Sequence, residues 1–251
     1  MCDSRRTGVM ALTGWDDAQR DCLRVLELRP DNELGRFLLA NAYTKTGKFR
    51  EAIPHLEICR QQQPDSAETV ELLANCHRSL GQTGEARGLL DDWLSSHSGN
   101  VDLFLIRAQI ALDEGKSDEA VKYLRQAETQ SPSHPKTHYL LAQALRTLQR
   151  LDESAVYEAK WRAYEELLRR RGEVEKLLAN DSKNVPLLCE AGELSFRVGD
   201  DAAGLKWLNA ALRLAPNHRP AHEALAEYYE RKGNPQAAAS HRMRARGTPD
   251  R

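Results

Sequence analysis

Apolar residues return every three or four positions in paired stretches of roughly 13 residues, the spacing of a helix with one buried stripe. In one such stretch the stripe is Phe37, Leu38, Ala40 and Tyr43. The pairs recur: "LLAN" stands at residues 38–41 and again at 72–75, and "LLAQ" at 140–143. With Glu33 as position 1, copies start at residues 33, 67, 101 and 135, then at 185 and 219. Position 8 is Ala40, Ala74, Ala108, Ala142, Gly192 and Ala226, and position 20 is Ala52, Ala86, Ala120, Ser154, Gly204 and Ala238. Ala18 fits the second column one step earlier. Position 15 is Gly47, Gly81, Gly115, Gly199 and Gly233, with Gln149 the exception, and Pro30, Pro64, Pro132 and Pro216 share position 32 with Ser98.

Each column has a physical cause. Small residues at positions 8 and 20 let the two helices of a hairpin approach closely. Glycine ends the first helix, where a left-handed backbone carries no Cβ penalty. Proline after the second helix prevents its continuation. One hairpin cannot bury its apolar stripe, so the units must stack into a solenoid. Between repeats 4 and 5 the chain is longer than the repeat requires. That stretch, "DESAVYEAKWRAYEELLRRRGEVEKLLAND", holds no proline and one glycine, Gly172. It predicts a second helix of repeat 4 that runs on for several turns, with Gly172 as a candidate kink or break. Its "LLRRRG" run reads as a solvated charged face rather than a docking patch for acidic groups.

These columns resemble those of the tetratricopeptide repeat family, whose pattern sets small, aromatic, glycine and proline residues at the same spacings. The copy most similar to it is Leu39, Ala40, Tyr43, Gly47, Phe49, Ala52, Leu56 and Pro64. Position 4 is never tryptophan, and repeat 4 lacks both the glycine and a proline in register. The resemblance implies an all-α fold, a right-handed α-solenoid of antiparallel helix-turn-helix units. The expected organisation runs from residues 1–14, disordered or the remnant of a truncated repeat, to a half-repeat helix over 15–30. Repeats 1–4 follow over 33–166, a helical insertion over 167–184, repeats 5–6 over 185–246 and a tail over 247–251. Arg242 takes the place of Leu56, Leu90, Leu124 and Leu208, a polar outer face suited to a terminal repeat.

Composition then narrows the function. Net charge is −1 with 29% charged residues, so no field of one sign steers the chain to nucleic acid or an acidic membrane. No run of about 18 apolar residues suits a transmembrane helix, and the start lacks a signal-peptide core. Five scattered cysteines (Cys2, Cys22, Cys59, Cys76 and Cys189) without a C-x-x-C fit a reducing, cytoplasmic setting. No nucleophile motif, phosphate loop or metal-ligand box is present, so no catalytic residue, cofactor or metal is expected. His218 and His222 are four apart, with His241 following, but His218 belongs to an inter-repeat turn. A hydrolase hidden on the solenoid is the least favoured reading.

What remains is a binding surface. In the family that the chain resembles, first helices line a concave face, and positions 2, 5, 9, 12 and 13 point into it. Position 9 is Asn41, Asn75, Gln109 and Gln143, four carboxamides able to donate to and accept from an extended peptide backbone. Lys45, Arg78 and Arg146 stand at positions 12 and 13, and position 5 carries Phe37, Glu71 and Tyr139. With Phe37 and Glu71 there, the lysine clamp that some members use on a C-terminal carboxylate is missing. Toward repeats 5 and 6 the face turns acidic, with Glu190, Glu193, Glu223, Glu227 and Glu230, and Arg197 and Arg231 are expected to pair with part of it. The expected partner is a protein or peptide segment, apolar or aromatic toward repeats 1–4 and basic toward repeats 5–6. Self-association through the N-terminal half-repeat is also expected. The reading is a non-catalytic protein-interaction scaffold, with a C-terminal regulatory or structural module of a longer protein as the alternative.

Overall fold

The computed structural model describes residues 14–97 and 100–247. The expected disordered start and the tail therefore lie outside the described residues except for Gly14 and Gly247, as do Cys2 and Ser98. Among the described residues there are thirteen α-helices and no strand. They are α1 (Trp15–Leu28), α2 (Glu33–Lys45), α3 (Phe49–Gln62), α4 (Ala67–Ser79), α5 (Thr83–Ser96), α6 (Val101–Asp113) and α7 (Ser117–Gln130). After these come α8 (Pro135–Thr147), α9 (Leu151–Asn180), α10 (Val185–Arg197), α11 (Asp201–Leu214), α12 (Arg219–Arg231) and α13 (Pro235–Arg246). None is long and apolar enough to cross a membrane.

First helices are 13 residues long and, in repeats 1–3 and 5, second helices are 14, because both ends are specified chemically. At the start, the side chain just before position 1 accepts from a backbone N–H three residues on. Asn32 accepts from Gly35 at 2.6 Å, Ser66 from Thr69 at 3.3 Å, Asn100 from Leu103 at 2.9 Å and Asn184 from Leu187 at 3.1 Å. At the end, the position-15 glycines take φ from +70° to +87°. The next N–H then reaches back to a carbonyl in the last helical turn, as from Lys48 to Tyr43 at 2.9 Å and Lys116 to Ala111 at 2.7 Å. Gln149 holds the same left-handed conformation, φ +59°, and Arg150 still bonds Leu145 at 2.9 Å. Repeat 4 thus keeps the turn and bears the strain that glycine avoids elsewhere.

Packing follows from the small columns. Ala40, Ala52, Ala74, Ala86, Ala108 and Ala120 are all fully buried, as are Leu56, Leu90, Leu124 and Leu208 at position 24. Ser154 fits the same slot by donating its hydroxyl to the carbonyl of Ala142 at 2.9 Å, which joins positions 20 and 8 of repeat 4. A second column was not anticipated. At position 4, where the family pattern has tryptophan, Arg36, His138 and His222 donate to the carbonyls of Pro30, Pro132 and Pro216. The inter-repeat turn, which proline leaves with an unpaired carbonyl, is thereby satisfied from the next repeat.

The chain forms two compact units, residues 1–158 and 159–251. The first is built on Leu105, Leu124, Leu141 and Leu145 with Tyr157 against them. It contains a buried cation: Arg107, 2% exposed, stands at position 7, where repeats 1, 2, 4 and 6 have leucine. Its guanidinium meets Asp91 at 2.7 Å and Glu119, and lies over the Tyr123 ring at 4.7 Å. Tyr123 in turn donates to Asp91, tying α5, α6 and α7 together. The second unit is built on Val174, Leu178, Leu188, Leu208 and Leu225. Residues 151–180 form one helix, α9, which runs unbroken through Gly172 for 30 residues. That is roughly 45 Å at the usual helical rise. Its basic run is ion-paired: Arg169 with Glu166 and Glu173, Arg170 with Glu190 at 2.6 Å, Arg171 with Asp200 at 3.6 Å and Glu175 at 3.7 Å.

Repeat 5 gives the sharpest test of the packing, since both small positions are glycine. A Cβ added at Gly204 would overlap the Phe196 ring, and one at Gly192 would overlap Leu208. Gly204→Ala should therefore overpack the hairpin and cost about 1–3 kcal/mol. A melting curve unchanged by this substitution would place α10 and α11 too close together in this description.

Candidate functional site

In the second unit, α10 and α12 present one stripe each toward a common cleft of about 530 Å³. From α10 come Glu193, Phe196 and Arg197, at positions 9, 12 and 13; from α12 come Pro220, Glu223, Ala224, Glu227, Glu230 and Arg231. The steps of three and four along each helix put these side chains on one face. Phe196 sits where it does because Gly204 leaves room beneath it. Its ring stacks on Tyr228 with centroids 4.4 Å apart and 7° between planes, and both rings are nearly buried. The cleft therefore has an aromatic floor and a rim of charge.

The rim is partly neutralised by arginines, one on the same helix and one from the next. Glu223 accepts from Arg219 at 2.7 Å, and Glu230 pairs with Arg242 of α13. Glu190 does not line the cleft; Arg170 of α9 holds it at 2.6 and 3.0 Å. The expected partners behave differently: Arg231 lies over the Phe196 ring at 5.9 Å, and neither it nor Arg197 forms an ion pair with these glutamates among the described residues. Glu193 and Glu227 likewise hold no ion pair there, and both are exposed. Glu193 does touch Cys189, whose thiol points at its carboxylate across 3.6 Å. Burial first, and the Glu193 carboxylate next, push that thiol up to about 12.

The first unit holds the other expected site residues on its first helices. Asn41 and Asn75 are half-buried, Gln143 is exposed, and the Gln109 amide donates to Asp113 on its own helix at 3.0 Å. Phe37 is only 8% exposed, in the wall of a 250 Å³ cleft with Glu33, Leu34, Cys59 and Gln62, so its ring presents little surface to a partner. Tyr139 is 47% exposed, and Arg146 pairs with Glu158. Arg78 lies 3.8 Å from Asp113. Half-burial raises the pKa of Glu71, with Asp102 and Glu68 adding to the rise and Lys45 and Lys136 opposing it. The face of this unit is consequently mixed in charge, where the sequence suggested apolar and aromatic contacts.

Column reasoning singled out Glu193, Arg197, Glu223 and Glu227, and these four line the α10–α12 cleft. Phe196 and Pro220 fall in columns 12 and 2, which the family pattern also directs to that face. Arg219 stands four residues before Glu223 on the same helix, a spacing that signals the pair, whereas Arg242 reaches Glu230 from α13 and carried no such signal. Two of the histidines near α12 form a pair. His222 Nδ1 lies 2.9 Å from His241 Nδ1, and no group of three potential metal ligands occurs among the described residues.

With this geometry in view, comparison with known proteins identifies the class. Tetratricopeptide repeat family models match residues 44–110 and 107–166. The chain belongs to the tetratricopeptide repeat family, whose members are protein-interaction scaffolds typically without catalysis. Its fold is similar to a crystal structure of the APC/C hetero-tetramer Cut9–Hcn1, at 14% identity over 92% of this chain, with a TM-score of 0.52. The chain spans 43% of that relative's length. It is also similar to a thermophilic tetratricopeptide protein of Thermus thermophilus, at 20% identity over 76% of this chain and 95% of that one, with a TM-score of 0.52. No curated protein matches the sequence.

Cys189 offers a check on the cleft's electrostatics. At pH 8 it should resist alkylation in the folded protein while half-exposed Cys22 reacts, and Glu193→Gln should bring its pKa down. Equal labelling rates for the two thiols by mass spectrometry would contradict the packing of Cys189 against Glu193.

Proposed function

We propose that the protein is a non-catalytic scaffold that binds an extended, basic segment of a partner protein along its first helices. Glu193 and Glu227 are the points of charge recognition in this reading. The observation that carries it is the α10–α12 cleft, where an aromatic floor lies beneath carboxylates and the other two, Glu223 and Glu230, are already paired. A lysine or arginine side chain entering the cleft would gain two carboxylates, Glu193 and Glu227, that hold no ion pair. The half-buried, electronegative surroundings of Glu71 support the same sign of ligand in the first unit. Asn41, Asn75 and Gln143 are then available to a peptide backbone, as neutral hydrogen bonds contributing roughly 0.5–1.5 kcal/mol each.

The test uses arrays of basic, neutral and acidic peptides in extended sequence, followed by anisotropy titration of those retained. Basic peptides should bind, and Glu193→Gln with Glu227→Gln should weaken them most at low salt, since exposed charges are screened as salt rises. Retention of acidic or neutral peptides alone, or affinity indifferent to both substitutions, would remove the cleft as the recognition site.

Self-association through α1 has its own support. Leu23, Val25 and Leu28 are 41%, 40% and 77% exposed on that helix, and Leu34 of α2 is 56% exposed. If copies pair there, Leu28→Lys with Leu34→Lys should shift the sedimentation coefficient of the wild-type protein down to that of the monomer. A wild-type protein that sediments as a monomer at high concentration would end this idea.

A further inference from the structure

The last helix is held by unusual chemistry. Most second helices in the array bury a leucine at position 24, whereas α13 buries only Ala238 and Ala245 and carries Arg242 at that position. Its most specific contact with α12 is between two imidazoles, His222 Nδ1 and His241 Nδ1, 2.9 Å apart. His222 is 1% exposed, and its Nε2 stands 2.9 Å from the Pro216 carbonyl, an acceptor only. That nitrogen must therefore carry the proton of the neutral ring, leaving Nδ1 as an acceptor. His241 must then donate from its own Nδ1. One arrangement of protons satisfies all three groups.

We infer that the paired imidazoles of His222 and His241 form a proton-sensitive latch, and that acidification releases α13 from α12. A first proton leaves one N–H···N contact but makes the pair a cation beside the buried His222 ring, and a second would set two N–H donors, at His222 Nδ1 and His241 Nδ1, against each other. A proton added at His241 Nε2 leaves the contact intact but puts a cation among unfavourable neighbours. The groups acting on His241 are His222 and the stacked ring of Tyr229 from α12, with centroids 5.6 Å apart, and Arg244 on its own helix. His218 stands one turn before His222, and Lys232 at the end of α12 is already bound to Asp201 of α11 at 2.6 Å. Burial, then His222 and Arg244, lower the pKa of His241 below the ordinary 6.5.

The sign follows from linkage. Histidines that exclude protons when docked lend stability that is complete above the ordinary imidazole pKa and is lost as pH falls below it. The undocked population should rise about tenfold per pH unit for each proton excluded. Release of α13 would also withdraw Arg242 from Glu230 and add a free carboxylate to the α10–α12 cleft. That consequence rests on the functional reading above, whereas the latch stands without it.

Hydrogen exchange of the full chain without any peptide, corrected for intrinsic rates, tests the latch alone. Amides of 235–246 should lose at least tenfold of their protection between pH 7.5 and 5.5 while those of α10 and α11 keep theirs. Repeat 2 supplies an apolar pair for the same two columns, Val70 and Leu89. The variant His222→Val with His241→Leu should hold α13 with equal protection at both pH values. Protection of α13 in the wild type that survives to pH 5.5, or a variant that loses as much as the wild type, would overturn the proposal. Should the variant not fold, the wild-type His241 resonance decides: it must titrate below the exposed histidines, and ordinary titration of that ring would equally refute the latch.

Discussion

The close approach of two helices at positions 8 and 20 is the constraint from which the rest of this structure follows. A pair of methyl groups, or of bare Cα atoms in repeat 5, sets how near the helices of a hairpin lie. That distance decides which leucines interdigitate, because an interior packed to crystal-like density transmits a change of one methyl group. The leucines at position 24 are fully buried only because alanines stand opposite them. Where the spacing tightens further, at Gly192 and Gly204, the space left is taken by Leu208 and Phe196. Phe196 is at once a packing residue and the floor of the candidate site, so binding surface and core share one side chain.

Polar groups do the second job, which is to fix the ends. The first helices of repeats 1–5 each have a side-chain N-cap, all six hairpins have a left-handed turn, and position-4 donors close three of the proline turns on the preceding repeat. Such groups add little net energy when paired but cost much if buried unpaired, so they specify a turn more than they stabilise it. Arg107 shows the limit of that logic. Its burial is tolerated because Asp91, Glu119 and the Tyr123 ring surround it, and removing one partner would strand a charge in the core.

Charge on the first helices divides by a similar principle. Of the carboxylates expected on the acidic face, Glu190 and Glu223 are committed to arginines, and Glu230 to the last helix. Glu193 and Glu227 are left to interact with something else. Two of the four cleft carboxylates are thus held in internal pairs, and Glu193 and Glu227 remain beside Arg197 and Arg231.

Local chemistry made the helices, turns and repeat boundaries readable, since each depends on a residue type at a short fixed spacing. Alanine at position 8, glycine at 15 and proline at 32 are one-dimensional statements about backbone and volume, and even Gln149 is legible as the one strained turn. The family resemblance then pointed to the face that carries Glu193 and Glu227. Columns cannot show which partner a long side chain reaches, because arginine spans from one helix to another and chooses among several carboxylates. Arg170 on Glu190, Arg242 on Glu230 and the meeting of His222 with His241 join residues 12 to 20 positions apart through packed helices. Those pairings, the burial of Phe37 and the stacking of Phe196 on Tyr228 were decided only when the helices came together, by distances that no spacing along the chain encodes.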